Sequence, residues 1–334
     1  MKLSVLDTFN LRNGFSAKDA VDDSVKSICH VEQLGYFRYW VSEHHNTSLT
    51  ASSAPEILIG YLASKTSKIR VGSGCILLPY YSSLKVAECF KQLELLYPNR
   101  IDLGVGRASG CDELTSYFLS QSRNSELASY HEKIYDLKHF LDQTHISESV
   151  KSKIKVVPRI PKSPPIWILG SSINSAKLAL QLGVNFSYAH FLNPASTGEV
   201  LTFLNNYSTN VSDQKFSYSL AIRIICSDNK TQLRQMLHYF DWYIVRSGSK
   251  QKSDGLYRAN YNYRYNDREK AEIHLARENT LIGAPHEIRL KLSSLVDFSK
   301  ITELIISMCV CSLDQKLSTY SLLAQEFNLK ENEL

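Results

Sequence analysis

The chain has 334 residues, 43% of them hydrophobic, and a formal net charge of +5. That length supports a large core and rules out a small disulfide scaffold, while the scattered positive charge gives no footprint for a nucleic-acid partner. The seven cysteines are an odd number with no paired spacing beyond Cys309 and Cys311, and they read as reduced thiols of a cytosolic protein.

The N-terminus, Met1 to Asp7, enters a strand-like run directly, so no signal peptide is expected. No apolar stretch reaches the roughly 20 residues that span a bilayer. The expectation is a soluble, cytoplasmic protein with no membrane partner. Leu3 to Thr8 reads as the first strand. Ser16 to Leu34 reads as a helix, with Val21, Val25, Ile28 and Val31 at helical spacing and Gly35 closing it. Arg38 to Glu43 is the second strand, and this β-α-β opening predicts a parallel sheet. Ser53 and Glu56 stand at capping-box spacing, with Pro55 in the first turn of a helix that runs to about Lys65.

Ile69 to Leu78 is strand three, interrupted by Gly72 and Gly74. A helix follows over Ser83 to Leu96. Ile101 to Gly106 is strand four, leading into Arg107. Glu126 to Leu141 is helical, and Ile154 to Val157 reads as a minor strand in a polar, proline-rich crossing. Strands five, six and seven fall at Ile166–Leu169, Asn185–Ala189 and Tyr218–Cys226. Their helices cover Ser175 to Leu182, Pro194 to Tyr207, and Lys230 to about Val245.

Residues 246–276 lack a clean period and read as a mobile lid insertion. Within them, Tyr257 to Tyr265 interleaves aromatics and cations. A loop over an active site explains that stretch better than an RNA contact. Asn279 to Phe298 opens with Gly283-Ala284-Pro285 and is then helical. Glu303 to Cys309 is strand eight and Leu313 to Phe327 the last helix. Eight strand–helix units in one chain predict a single α/β domain over 1–334, a (β/α)8 TIM barrel with insertions. A doubly wound sheet is the rival and does not need eight repeats.

The polar residues at strand exits are the candidates for chemistry, because barrels place it there. Glu43, His44 and His45 follow strand two. Adjacent strand residues point to opposite sides, so one histidine faces the cavity squarely, and a proton-handling His44 is favoured over a metal site. The bland alternative is a surface histidine pair. Gly74-Cys75 marks a bulge, a close approach by a flat ligand, or a packing glycine. Gly104, Gly106 and Arg107 leave room for a planar ring beside a guanidinium able to hold an anion or a flavin carbonyl; the alternative is an exposed arginine. Gly170, Ser171 and Ser172 open a helix and form either an anion site or plain N-caps.

The ordered series Tyr39-Trp40-Val41-Ser42-Glu43-His44-His45-Asn46, Ala51-Ser52-Ser53-Ala54-Pro55-Glu56, Ile69-Arg70-Val71-Gly72-Ser73-Gly74, Arg100-Ile101-Asp102-Leu103-Gly104-Val105-Gly106-Arg107, Pro165-Ile166-Trp167-Ile168-Leu169-Gly170-Ser171-Ser172 and Ile282-Gly283-Ala284-Pro285 resembles the bacterial luciferase-like flavin monooxygenases over nearly the whole length. The resemblance implies a luciferase-like barrel that binds reduced FMN at its C-terminal face. His44 matches the active-site histidine of that family, with Glu43 or Asn46 orienting it. Gly74-Cys75 matches a non-prolyl cis peptide beneath the isoalloxazine ring. Arg107 lies beside the flavin, and Ser171 and Ser172 lie near its phosphate. Gly106 departs from the reactive cysteine of the light-emitting subunit, so light emission is not expected. The implied activity is a two-component monooxygenase. It is supplied by a separate flavin reductase, acts on a small apolar or aldehyde-like substrate, and works as a homodimer. F420-dependent hydride transfer is the alternative enzyme reading, and a flavin-binding protein without turnover the non-enzymatic one.

Overall fold

A computed structural model describes residues 1–12, 14–107, 110–120, 128–142, 153–210, 216–248, 263–297, 301–309 and 312–330. The strands are β1 (Lys2–Asp7), β2 (Arg38–Val41), β3 (Arg70–Ser73), β4 (Ile76–Leu77), β5 (Ile101–Gly106), β6 (Ile166–Gly170), β7 (Asn185–Ala189), β8 (Tyr218–Cys226), β9 (Thr280–Gly283) and β10 (Glu303–Ser307). The α-helices are α1 (Ala17–Gln33), α2 (Pro55–Ala63), α3 (Ser83–Leu96), α4 (Glu113–Ser120), α5 (Ala128–Asp142), α6 (Ile173–Leu182), α7 (Thr197–Asn210), α8 (Lys230–Gly248), α9 (Asp267–Glu278), α10 (Pro285–Leu295) and α11 (Leu313–Glu326).

Eight parallel strands close in the order β10-β1-β2-β3-β5-β6-β7-β8, and β8 pairs back to β10. β4 extends the β5 edge, and β9 runs parallel to the C-terminal half of β8. The fold is therefore the expected (β/α)8 barrel.

Period-two alternation divides the side chains between two cores. Leu6, Trp40, Trp167, Ala221 and Ile305 pack inside the barrel, with Leu169 and Phe191 against them. Their strand neighbours Val5, Tyr39, Val41, Ile168, Leu220, Ile222, Leu304 and Ile306 belong to the larger cluster under the helices. Both faces are covered, so β2, β5 and β10 are buried along their whole lengths, as a parallel barrel requires. Trp40 and Trp167 meet edge to face, with ring centroids 5.3 Å apart.

Below them, at the N-terminal end, lies a closed ionic network. Arg38 donates to Asp102 at 2.7 Å and to Glu303 at 3.0 Å. Arg70 donates to Asp102 at 2.6 Å, and Ser4 donates to Glu303 at 2.6 Å. Two arginines face two carboxylates, so the network carries no net charge.

Local signals account for most element boundaries. Ser16 and Asp19 form the capping box that starts α1. The box expected at Ser53 and Glu56 does not form: Ala54 is the N-cap of α2, which puts Glu56 one position too early, and Pro55 opens the first turn. Ile154 to Val157 is not a strand; Ile154 and Val157 are exposed and only Val156 is buried, so the segment has no apolar face to pair. Strand three divides into β3 and β4 around Gly74-Cys75. Helix α4 and strand β9 lie outside the elements read from the sequence. The lid stretch 246–276 is helical at both ends, in α8 and α9, which Arg277 ties together through Asp241 at 2.6 Å; residues 249–262 lie outside the described residues. The six described cysteines form no disulfide with one another, and Cys311 lies outside the described residues. Among the described residues no helix is long and apolar enough to cross a membrane.

Candidate active site

Because the barrel strands run parallel, the exits of β2, β3, β5 and β6 open at one mouth. Ser42 continues the inward face of Trp40, and His44 continues it again. The His44 backbone N–H donates to the Ser52 carbonyl at 2.8 Å. Its ring nitrogen Nδ1 lies 3.1 Å from Ser42 Oγ. Burial, with neighbouring His45, holds His44 below its ordinary value, so the ring is neutral at pH 7.

Glu43 points the other way. It is 3% exposed. Its carboxylate accepts from Leu77 N–H at 2.9 Å and from the Tyr81 hydroxyl at 2.6 Å, and faces His45 Nε2 at 2.7 Å. Glu43 thus anchors the β2 exit to β4 and the turn after it, and orients His45 rather than His44. Asn46 does not reach His44 either; its amide donates to Asp112 and Thr115, each at 2.8 Å. Ser42, which sequence reasoning passed over, is the hydrogen-bond partner of His44. Its signal was the two-residue spacing that puts it on the same face.

The Gly74–Cys75 peptide is cis. In the run from Val71 to Leu78 these two residues alone keep some exposure, so a flat peptide surface faces the mouth. Gly106, the last residue of β5, presses against it: a Cβ there would fall 2.3 Å from Cys75 Sγ. The space that the sequence assigned to a planar ring at Gly106 is filled by this thiol, and the flat surface is the peptide above it. Burial pushes the Cys75 thiol up to about 12. Arg107 follows, exposed at the rim.

Tyr130 on α5 is a further member, and nothing in its helical spacing distinguishes it from a core aromatic. The residue is 5% exposed, and its hydroxyl has no hydrogen-bond partner among the described residues. It lies within electrostatic reach of Cys75 and Arg107, and burial raises its pKa. A buried orphan hydroxyl costs about 1–3 kcal/mol unless something completes it.

At the β6 exit, Gly170 lets α6 start close to the strand, since a Cβ would meet Ser175 Oγ at 2.7 Å. Ser172 is the N-cap of α6, accepting from Ser175 N–H at 3.3 Å, so its hydroxyl is already engaged. The Ser171 carbonyl accepts from Asn193 at 2.9 Å, and its hydroxyl has no partner among the described residues. A flat peptide, an orphan hydroxyl, a rim guanidinium and a free serine at a helix N-terminus together fit a planar cofactor with an anionic tail.

A parallel barrel with a neutral histidine and such a cradle at its C-terminal mouth has the form of a cofactor-binding barrel site. Comparison with known proteins narrows the class. The luciferase-like monooxygenase family model matches residues 1–299, and the chain belongs to that family. It is similar to the N-acetyl-S-alkylcysteine monooxygenase of Bacillus subtilis, 31% identical over 97% of each chain. It is also similar to the crystal structure of apo-MsnO8, 31% identical with a TM-score of 0.85, covering 99% of each chain. The oxygenating constituent of 3,6-diketocamphane monooxygenase from Pseudomonas putida, solved in complex with FMN, shares the fold at 19% identity, with a TM-score of 0.68 over 99% of this chain and 97% of that one. The family supports a monooxygenase and fits a cofactor of the flavin type.

Proposed function

We propose that the chain is an FMN-dependent two-component monooxygenase, which takes reduced FMN from a separate flavin reductase and oxidises a small organic substrate, apolar or aldehyde-like. The observation that carries this reading is the orphan Tyr130 hydroxyl within electrostatic reach of Cys75 and Arg107, together with the partly exposed Gly74–Cys75 peptide. A tricyclic ring resting there would complete that hydroxyl. The N-acetyl-S-alkylcysteine monooxygenase relative supports a small organic substrate.

Reduced FMN, when bound, supplies the two electrons by which O2 gives one atom to the substrate and the other to water. The remaining work belongs to the chain. The Gly74–Cys75 peptide, backed by Gly106 through the Cys75 thiol, would support the ring. Arg107 and the Ser171 hydroxyl would hold the phosphate at the α6 N-terminus. The neutral His44 ring, fixed by Ser42, accepts or returns the proton that the oxygen chemistry moves. The walls of the mouth exclude water, which keeps electrons from escaping into free hydrogen peroxide. A homodimer belongs to the same reading, to be checked by light scattering.

The test is oxygen uptake by the protein loaded with reduced FMN, compared with reduced F420, across a panel of aldehydes and thioethers. Substrate-dependent uptake with FMN supports the reading. Turnover with F420 alone would make the protein a hydride-transfer enzyme. Tight FMN binding without any product would make it a flavin carrier.

A further inference from the structure

Arg223 is the charged residue in the middle of β8, within the run Leu220-Ala221-Ile222-Arg223-Ile224-Ile225. Strand alternation fixes its direction. Ala221 packs inside the barrel with Leu6, Trp40, Trp167 and Ile305, so Arg223, two residues on, also points inward. Its register partner on β10 is Ser307, the last residue of that strand, which puts it at the level of the mouth. It is half-buried, where every other residue of β8 is buried. On an inward-facing side chain at this height, that exposure opens into the mouth.

Among the described residues the guanidinium has no carboxylate and no hydrogen-bond acceptor. Its contacts are the rings of Phe191 and Phe240, whose centroids lie 5.3 and 5.6 Å away. The nearby titratable groups are Cys309 and Tyr243, neither of them a carboxylate. Cation–π contacts of this kind are weak individually. They do not offset the cost of removing an arginine from most of its water. The rings therefore leave a deficit that an anion would cover. The floor of the same barrel shows what the fold does otherwise: Arg38 also lies over aromatic rings, Trp40 and Trp167, yet it has Asp102 and Glu303 as well.

Position separates Arg223 from the proposed phosphate end of the cofactor. In the ring of eight strands β8 is four steps from β3 in either direction, so Arg223 faces the Gly74–Cys75 peptide from across the mouth. Arg107 and Ser171 follow β5 and β6, between these two. A small molecule lying on the far side of the ring from that peptide would present one end to Arg223.

We propose that Arg223 is a specificity residue that binds the carboxylate of the substrate, with the apolar body of that substrate lying along Phe191, while Phe240 backs the guanidinium from the core. This rests on the mouth being the reaction site, and it narrows the substrate class to small apolar carboxylates. The guanidinium fork matches a carboxylate in two-point geometry, which a lysine would not reproduce.

The test needs no flavin. Binding of 3-phenylpropanoate and of its neutral isostere 3-phenylpropanamide to the full chain is measured by calorimetry at pH 7.5, with FMN binding followed in parallel. The wild type should bind the acid about tenfold or more tightly than the amide, the scale of one charge-assisted hydrogen-bonded pair. Arg223→Met should erase that preference and leave FMN binding within about twofold; Arg223→Lys should restore only part of it. Equal binding of acid and amide by the wild type would overturn the proposal, as would a preference that survives Arg223→Met. Loss of FMN affinity in place of acid affinity would assign Arg223 to the cofactor and overturn it too. Should the Met variant fail to fold, phenylglyoxal labelling of the wild type with peptide mapping decides: 3-phenylpropanoate, and not the amide, must protect Arg223. A carboxylate preference in a protein that binds neither FMN nor F420 would leave this assignment standing while the cofactor reading fails.

Discussion

The two ends of the barrel treat buried charge in opposite ways. At the N-terminal end Arg38 and Arg70 meet Asp102 and Glu303, and every donor of Trp40, Ser4 and Arg38 that points there finds an oxygen. At the C-terminal end Tyr130 keeps an orphan hydroxyl and Arg223 touches only rings among the described residues. The floor pairs its charges within the chain, and the mouth leaves a cation and a hydroxyl for something bound. Stability should therefore reside in the floor, and function in the mouth.

The sharpest way to break this comparison is at the floor. Asp102 is fully buried and binds both arginines. Asp102→Ala should cost about 3–5 kcal/mol, because it leaves buried cations unpaired; urea unfolding measures it. A loss under about 1 kcal/mol would mean the floor is not a stability element. At the mouth the order reverses. His44→Ala should slow substrate oxidation by about 100-fold or more, the range of a lost proton-transfer group, with little change in unfolding midpoint or FMN affinity.

A packing test lies between the two. Gly106→Ala drives a methyl into Cys75 Sγ and should cost about 1–3 kcal/mol, as overpacked cores do. In a Cys75→Ala background the same change should cost far less, and a double-mutant cycle reads the difference. Additive costs would show that the thiol does not fill that space.

The smallest expected effect is on acidity. His44 has a folded pKa below its usual 6.5 because burial and His45 disfavour the cation. Its neutral form favours folding above 6.5, and that contribution disappears as pH falls through the lowered folded value. Oxidation rates should hold steady from about pH 7 to 6.5 and fall only at more acidic pH. His44→Ala should lack that acid limb; an unchanged limb would assign it to another group.

Much of the barrel was legible because its strands and helices carry long periodic signals. Helix α3 and strands β5, β7 and β8 fall where periodicity and turn residues place them. Strand β9 was not legible, since four residues before Ala284-Pro285 look like a loop leading into a helix. Candidate residues were legible where polar groups crowd a strand exit, as at His44 and Arg107. They were not legible where a single residue on a core element joins the same mouth. Tyr130 reads as an ordinary apolar-face aromatic, and only three-dimensional burial without a partner separates it from the others. Arg223 had a signal, a lone charge in an apolar strand, whose meaning depends on finding no carboxylate opposite. Glu43 was misplaced because adjacency in sequence suggested cooperation with His44, while the pleat sends the two to opposite sides.

The packing of Cys75 against Gly106 bears on durability. The thiolate is the form that attacks peroxide, and a sulfur held near 12 stays almost wholly protonated at neutral pH, so it reacts slowly. An enzyme that activates oxygen within reach of a sulfur atom would otherwise consume itself with each stray molecule of hydrogen peroxide. Here the sulfur serves as filler, and the chain is expected to survive oxidant exposure that would inactivate an ionised cysteine at the same spot.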